Sequence, residues 1–480
     1  MEPKIDQRCR RSGDNRLGTI LAVSALALMS MTWTAAHAGA ARPFAPASDE
    51  ELVLYRHATL FDGRSSSARL DMDVLVAGER IQKVFPDSTP LNDGAAKAKV
   101  VDLQGLFLIP GLIDSHVHLA TPPNRRQAEA ELRRNLYGGV TAVRDMADDL
   151  RPVAELARAS LVGEIAGADI YYAALMAGPA LFSDPRTIAT SAGGLAGHVP
   201  WMQAVDDNTD LPLAVSQSRG TFATAIKLYA DLTPELARRI TSEAHRQKML
   251  VWAHATLYPA KPSEVVEAGV NAISHACLLV RESSEHVPRL TEPRSSVNLD
   301  EFRTGQSPSL ARLFATMAER GIILDATVWA YRAPPPGPAT APSLTPPLGP
   351  GSCDDVVGGA ITGQAYRAGV QVSAGTDSVE PAADAWPELL HEMSELADRA
   401  HMPPDAVIRS ATLIGARAAG QEREMGSIEP GKLANMIVLQ KDPLLAIDNL
   451  KSLVMTIKRG RVFARRDFVP LQDDDVVDLD

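Results

Sequence analysis

Between residues 111 and 420, short apolar runs alternate with longer segments of mixed polarity. Runs of this kind bounded by turn signals read as buried strands, and the amphipathic stretches between them as helices. The strands predicted are Leu112 to His118, Val140 to Asp145, Asp169 to Ala177, Thr224 to Tyr229, Leu250 to His254, Asn271 to His275, Ile322 to Val328 and Val370 to Asp377. The clearest helix is Pro234 to Gln247, with Thr233 as N-cap, Pro234 at the first helical position and Glu235 in the first turn. Eight strand and helix pairs in α/β order predict a (β/α)8 TIM barrel over residues 111–420. An open doubly wound sheet is the alternative, disfavoured because the polar candidates end their strands on a common side.

The flanks carry a different texture. Glu51 to Val101 gives short strand-like pieces with a hairpin turn at Ala77-Gly78-Glu79, and Gly426 to Val469 repeats it. Together they predict a small β-sandwich built from both chain ends, residues 39–110 and 421–470. The stretch Ala333 to Gly351 is too rich in proline to pack as an element and reads as a long loop over the mouth of the barrel.

Residues 1–38 stand apart. A basic start (Lys4, Arg8, Arg10, Arg11, Arg16), an apolar stretch from Leu17 to Trp33 and Ala36-His37-Ala38 match a secretory signal peptide cleaved after Ala38, although the stretch also allows a membrane anchor. The expected mature protein is periplasmic or secreted and free of the membrane. The net charge of −11 becomes −13 once five basic and three acidic residues leave with that segment. With no basic stripe and no phosphate loop, nucleic acid is not an expected partner. A small-molecule substrate is, and a homo-oligomer is compatible with the chain. Residues 471–480 form an acidic tail. Two cysteines remain after export, Cys277 and Cys353, compatible with either a disulfide across the mouth or two free thiols.

The chemistry concentrates at the strand ends. In Ile109 to Leu119, His116 and His118 are two residues apart on an extended strand and so present two imidazoles to one point. Lys227, His254, His275 and Asp377 each close a further predicted strand. Within Ala-Ile-Lys-Leu-Tyr-Ala the alternation sends Ile226 and Leu228 to the helix layer and Lys227 and Tyr229 into the barrel. A buried ammonium is costly unless something compensates it.

These motifs (P-G-L-I-D-S-H-V-H-L, G-V-T-A-V-R-D-M, I-K-L-Y, W-A-H-A, A-I-S-H-A, A-G-T-D and G-S-I-E-P-G-K-L-A-N-M-I-V-L) resemble the amidohydrolase superfamily. The likeness is to its imidazolonepropionase-like and metal-dependent dipeptidase or prolidase-like branch. The resemblance implies that His116, His118 and Asp377 bind one divalent metal, zinc being the expected ion, and that His254 and His275 bind a second. It further implies that Lys227 carries a CO2-derived carbamate bridging the two, and that Asp377 is the proton shuttle. His198, in S-A-G-G-L-A-G-H-V, resembles a substrate-contacting loop histidine, and Tyr229 is the second expected substrate contact. The activity implied is cleavage of amide bonds, as in dipeptides or N-acyl amino acids. Hydrolysis of cyclic amides or lactones, or metal binding without catalysis, are the alternatives.

Overall fold

The computed structural model describes residues 51–90, 97–121, 123–293, 296–332, 353–377 and 385–470. The expected signal peptide, residues 39–50, the proline-rich stretch and the acidic tail lie outside the described residues.

In chain order, β1 (Leu52–Leu60), β2 (Arg69–Ala77), β3 (Arg80–Pro86), β4 (Lys99–Asp102) and β5 (Phe107–Pro110) precede the barrel. The barrel opens with β6 (Leu112–Val117), β7 (Val140–Asp145) and β8 (Asp169–Ala177), followed by a short hairpin, β9 (His198–Val199) and β10 (Met202–Ala204). It continues through β11 (Ala225–Leu228), β12 (Leu250–His254), β13 (Ala272–Ser274), β14 (Ile323–Asp325) and β15 (Val372–Ser373). After it come β16 (Met436–Leu439), β17 (Leu453–Lys458) and β18 (Arg461–Ala464).

The barrel strands pair in parallel from β6 through β7, β8 and β11 to β15. Backbone bonds from Ser115 N to Ala374 O and from Asp377 N to His116 O, both 2.9 Å, join the last strand to the first. The ring is the TIM barrel expected from the sequence. Its interior floor is apolar, with Met146, Ala173, Ala225, Trp252, Ala272 and Ile323 packed together. Ile226 and Leu228 face the helix layer as the alternation requires. That layer is held by helices such as Pro234–Arg246, whose first turn is capped by Thr233 Oγ1 accepting from Leu236 N at 3.2 Å. Its buried face is Leu236, Ala237, Ile240 and Ala244, the spacing of one helical stripe.

The two ends of the chain meet in a single sheet ordered β18-β17-β16-β5-β1-β2-β3, with β4 against β1. The join is antiparallel, Ile437 opposite Ile109 and Val438 opposite Leu108. Tyr55, Leu60, Val74, Ile81, Leu108, Met436 and Ile457 form its core, apart from that of the barrel. The predicted hairpin turn is present, with Gly78 at φ 56° between β2 and β3. A polar seam fastens this sheet to the barrel. Asp169, at the start of β8, pairs with Lys458 and with Arg459, both at 2.9 Å, and Arg459 reaches Glu79 at 3.0 Å.

Candidate active site

Five of the six ligand candidates lie within one residue of the end of a barrel strand, and Asp377 stands four beyond β15. All therefore lie at the carboxyl ends of the strands, where barrels of this kind assemble their chemistry.

Asp377 is the hub. Its Oδ1 lies 3.3 Å from both His116 Nε2 and His118 Nε2, and its Oδ2 lies 3.5 Å from His275 Nδ1. Donor atoms of His116, His275 and Asp377 all fall within 4.8 Å of one another. The rings continue the cluster: His116 to His275 is 5.0 Å between centroids, and His275 to His254 is 4.5 Å. Lys227 is fully buried, and its amine donates to Ser274 Oγ at 3.2 Å.

The alternation of the strands gave no sign of the groups that aim these ligands. His116 Nδ1 meets Asp325 Oδ2 at 2.7 Å, His118 Nδ1 meets Asp148 Oδ1 at 2.9 Å, and His275 Nδ1 meets Thr327 Oγ1 at 3.0 Å. A carboxylate only accepts, so His116 and His118 each donate from Nδ1, and their Nε2 atoms turn toward Asp377. Asp148 is itself held by Ala120 N at 2.6 Å and by the Thr121 hydroxyl. Asp325 sits inside a predicted strand as its one charged residue. Only its position opposite His116, 209 residues earlier, marks it as functional.

Backbone and electrostatics both carry the strain of this packing. His275 (φ 78°), Thr327 (φ 48°) and Asp377 (φ 51°) are held in the left-handed region, which non-glycine residues occupy at a cost of order 1–3 kcal/mol each. Burial pushes the Lys227 amine down to about 7, with the nearby Arg144 adding to the fall and Asp325 opposing it. Burial likewise lowers His275 to about 3. Asp377 is held well below the usual carboxylate range: burial works the other way and is outweighed by His116, His275 and His118.

The two expected substrate contacts separate. Tyr229 does extend the inward face of β11, with its ring 4.0 Å from that of His254. Its hydroxyl, however, is engaged by Arg186, which also pairs with Asp184 at 2.7 Å. His198 is exposed on β9, in register with Gln203, and among the described residues no hydrogen bond, ion pair or ring contact ties it to the cluster. Since β10 pairs with the last residues of β8, this hairpin still borders the mouth. Cys277 and Cys353 form a disulfide, resolving the two alternatives left by the sequence.

Imidazoles gathered around one carboxylate beside a buried amine are a donor set that fits divalent metal. The amidohydrolase family model matches residues 107–327 and 361–463, both halves of the barrel and the returning strands. A 5-methylthioadenosine/S-adenosylhomocysteine deaminase of Teredinibacter turnerae is 26% identical over 400 residues, 78% of this chain and 80% of the relative. A dihydroorotase of Leifsonia xyli is 39% identical over 127 residues, 25% of this chain and 26% of the relative. Among solved structures, a Xaa-Pro dipeptidase with bound methionine superposes with a TM-score of 0.66 at 21% identity, over 86% of this chain and all of that one. A putative prolidase from Bifidobacterium longum gives 0.61 at 23% identity, over 89% and 98%. The matched segments carry all six candidate ligands, and on that span the chain belongs to the amidohydrolase family of hydrolases.

Proposed function

We propose that the protein is an exported, metal-dependent amidohydrolase that cleaves the amide bond of dipeptides or N-acyl amino acids. The observation that carries the reading is the placement of Asp377, within 3.5 Å of three histidines from two strands, His116 and His118 at the end of β6 and His275 after β13.

In this reading His116, His118 and Asp377 hold one divalent ion, and His254 and His275 hold a second, zinc being the ion their donors suit best. The Lys227 ammonium gives up one proton and the free amine then adds CO2 and releases a second, which would turn a poorly compensated buried cation into an anionic ligand with two oxygens. Such a pair of ions supplies an acidified water and polarises the scissile carbonyl. The chain's own residues do the rest. Asp377 takes the proton of the attacking water as its oxygen adds to the carbonyl carbon, then delivers it to the nitrogen as the C–N bond breaks. Tyr229, packed on His254 and fixed by Arg186, is placed to donate to the developing oxyanion. His198 meets the far end of the substrate from the rim hairpin. The disulfide supports export, because such bonds persist in oxidising compartments.

The dihydroorotase likeness favours a second reading, hydrolysis of a ring amide by the same groups. A panel of dipeptides, N-acyl amino acids, cyclic amides and lactones, tested on zinc-loaded protein with metal analysis in parallel, decides between them. Turnover confined to cyclic substrates replaces the first reading with the second, and bound metal without turnover on any substrate rejects both.

A further inference from the structure

We propose that Arg144 and Asp325 form a buried clamp that orients both sides of the metal centre through one carboxylate oxygen. The inference rests on the metal-centre reading of the site and adds the residues that position it. Asp325 Oδ2 takes three partners: His116 Nδ1 at 2.7 Å, the Ser274 hydroxyl at 2.8 Å and the Arg144 guanidinium at 3.0 Å. Ser274 in turn accepts from Lys227 at 3.2 Å. A ligand from the first barrel strand and one from the fourth are thus set by a single residue on the seventh, which contributes no candidate ligand of its own.

Each member is enclosed. Arg144, Asp325, Ser274 and Lys227 are fully buried and His116 nearly so. Arg144 is fixed by more than its charge. Its Nε donates to Ser115 O at 2.6 Å, one residue before His116, and its guanidinium lies 4.5 Å from the Trp252 ring centre. A planar, permanently charged group suits this place, where one side chain must hold a carboxylate, a backbone oxygen and an aromatic face. The eighth strand leaves room for the clamp, since a Cβ on Gly375 would come within 2.4 Å of Asp325 Oδ1 and 2.7 Å of His116 Cβ. The consequence is directional. Asp325 accepts from Nδ1 of His116 and so turns Nε2 toward Asp377, while the hydroxyl it anchors keeps the Lys227 amine from swinging.

The test uses Asp325→Ala and Ser274→Ala in the full chain, with two readouts. Affinity and stoichiometry for Zn2+ are measured by chelator competition. In metal-free protein labelled with 15N-histidine, the ring nitrogens of His116 report its tautomer. Asp325→Ala is expected to weaken Zn2+ binding by about 10-fold to 100-fold, and to convert His116 from the Nδ1–H form to a mixture. Ser274→Ala is expected to weaken zinc binding while leaving the His116 tautomer unchanged. An unchanged tautomer together with zinc affinity within about twofold of wild type in Asp325→Ala overturns the clamp. If that variant does not fold, Asp325→Leu, similar in shape and without an acceptor for His116 Nδ1, takes its place, and the same pair of unchanged readouts overturns the clamp. Wild-type protein that takes up no zinc defeats the metal-centre reading itself, and the tautomer in metal-free protein still tests the role of Asp325.

Discussion

Two buried lysines in this chain meet opposite fates. Lys458, at the seam between sheet and barrel, is saturated: Asp169 at 2.9 Å, Ser160 Oγ at 2.9 Å and Gly167 O at 2.7 Å. Lys227, in the barrel mouth, has one neutral hydroxyl at 3.2 Å. A buried ammonium is stable where hydrogen bonds and a counter-charge replace its lost hydration, and it is a standing cost where they do not. The seam lysine is therefore scaffold. The mouth lysine is left under-compensated in a position where a modification or a metal would complete it, and the difference separates structural polarity from functional polarity without reference to any ligand.

Removing the mouth lysine gives the sharpest break in that comparison. Lys227→Ala is expected to lose about one metal equivalent and to lower kcat by at least roughly 1,000-fold, the loss of several kcal/mol of stabilisation at the reacting groups. Short-chain carboxylates should partly restore activity by filling the vacated space. Its melting temperature is expected to hold or rise, since an unsatisfied cation has left the core. Full metal content with full activity in the purified variant would exclude the bridging role.

Next in size is the covalent tie near the mouth. The Cys277–Cys353 disulfide closes a loop with 76 residues of separation, and on the chain-entropy account it stabilises the fold by up to about 4 kcal/mol. The double variant Cys277→Ser, Cys353→Ser should unfold at correspondingly lower denaturant, with ligand geometry disturbed only where Cys277 follows His275. A midpoint matching the oxidised wild type would show that the bond adds nothing to stability.

The seam supplies the converse experiment. Lys458→Met strips Asp169 of one of its two cations and is expected to cost about 3 kcal/mol, the lower end for breaking a buried pair, because Arg459 still holds the carboxylate. Turnover per folded molecule should not change. A fall in kcat with stability intact would mean that the seam reaches the chemistry, and the division drawn between the two lysines would fail.

What the sequence made legible follows the same division. Strand ends and side-chain phase are local properties, so the inward face of Lys227 and the paired imidazoles of His116 and His118 could be read from alternation alone. Asp325, Asp148 and Arg144 could not, because their role exists only through partners on other strands. Asp325 looks like a lone acid in Ile-Leu-Asp-Ala-Thr, and Arg144 like an ordinary strand arginine, until the barrel closes and stacks them beneath His116. The Tyr229 ring fell on the predicted face, yet the alternation gave no hint that Arg186, from a helix after the third barrel strand, would hold its hydroxyl. Nor did it mark the two-residue β9, too short to carry a period.

A third buried group extends the comparison to acids. Glu392, on the helix Leu389–Asp398, is fully buried, and its Oε2 accepts from Trp329 N at 2.7 Å. Burial raises its carboxyl from 4.5 to about 8, against the pull of the backbone N–H groups of Trp329 and Val328 and with the help of the negative Asp325 and Asp114. Like Lys227 it lacks a saturating counter-charge, and it escapes the cost by keeping its proton. Between 4.5 and about 8 the folded chain then holds a proton that the unfolded chain has released. Its contribution to stability is thus complete below the unfolded value and is lost as pH rises through the folded one, at no more than about 1.4 kcal/mol per pH unit. Glu392→Gln imitates the protonated acid and retains an acceptor for Trp329, so it should flatten this part of the stability profile while leaving the fold at pH 5 unchanged. Denaturant titrations of both proteins at pH 5 and pH 8 measure the difference, and parallel profiles would show that Glu392 is ionised in the native state, compensated after all like the lysine of the seam.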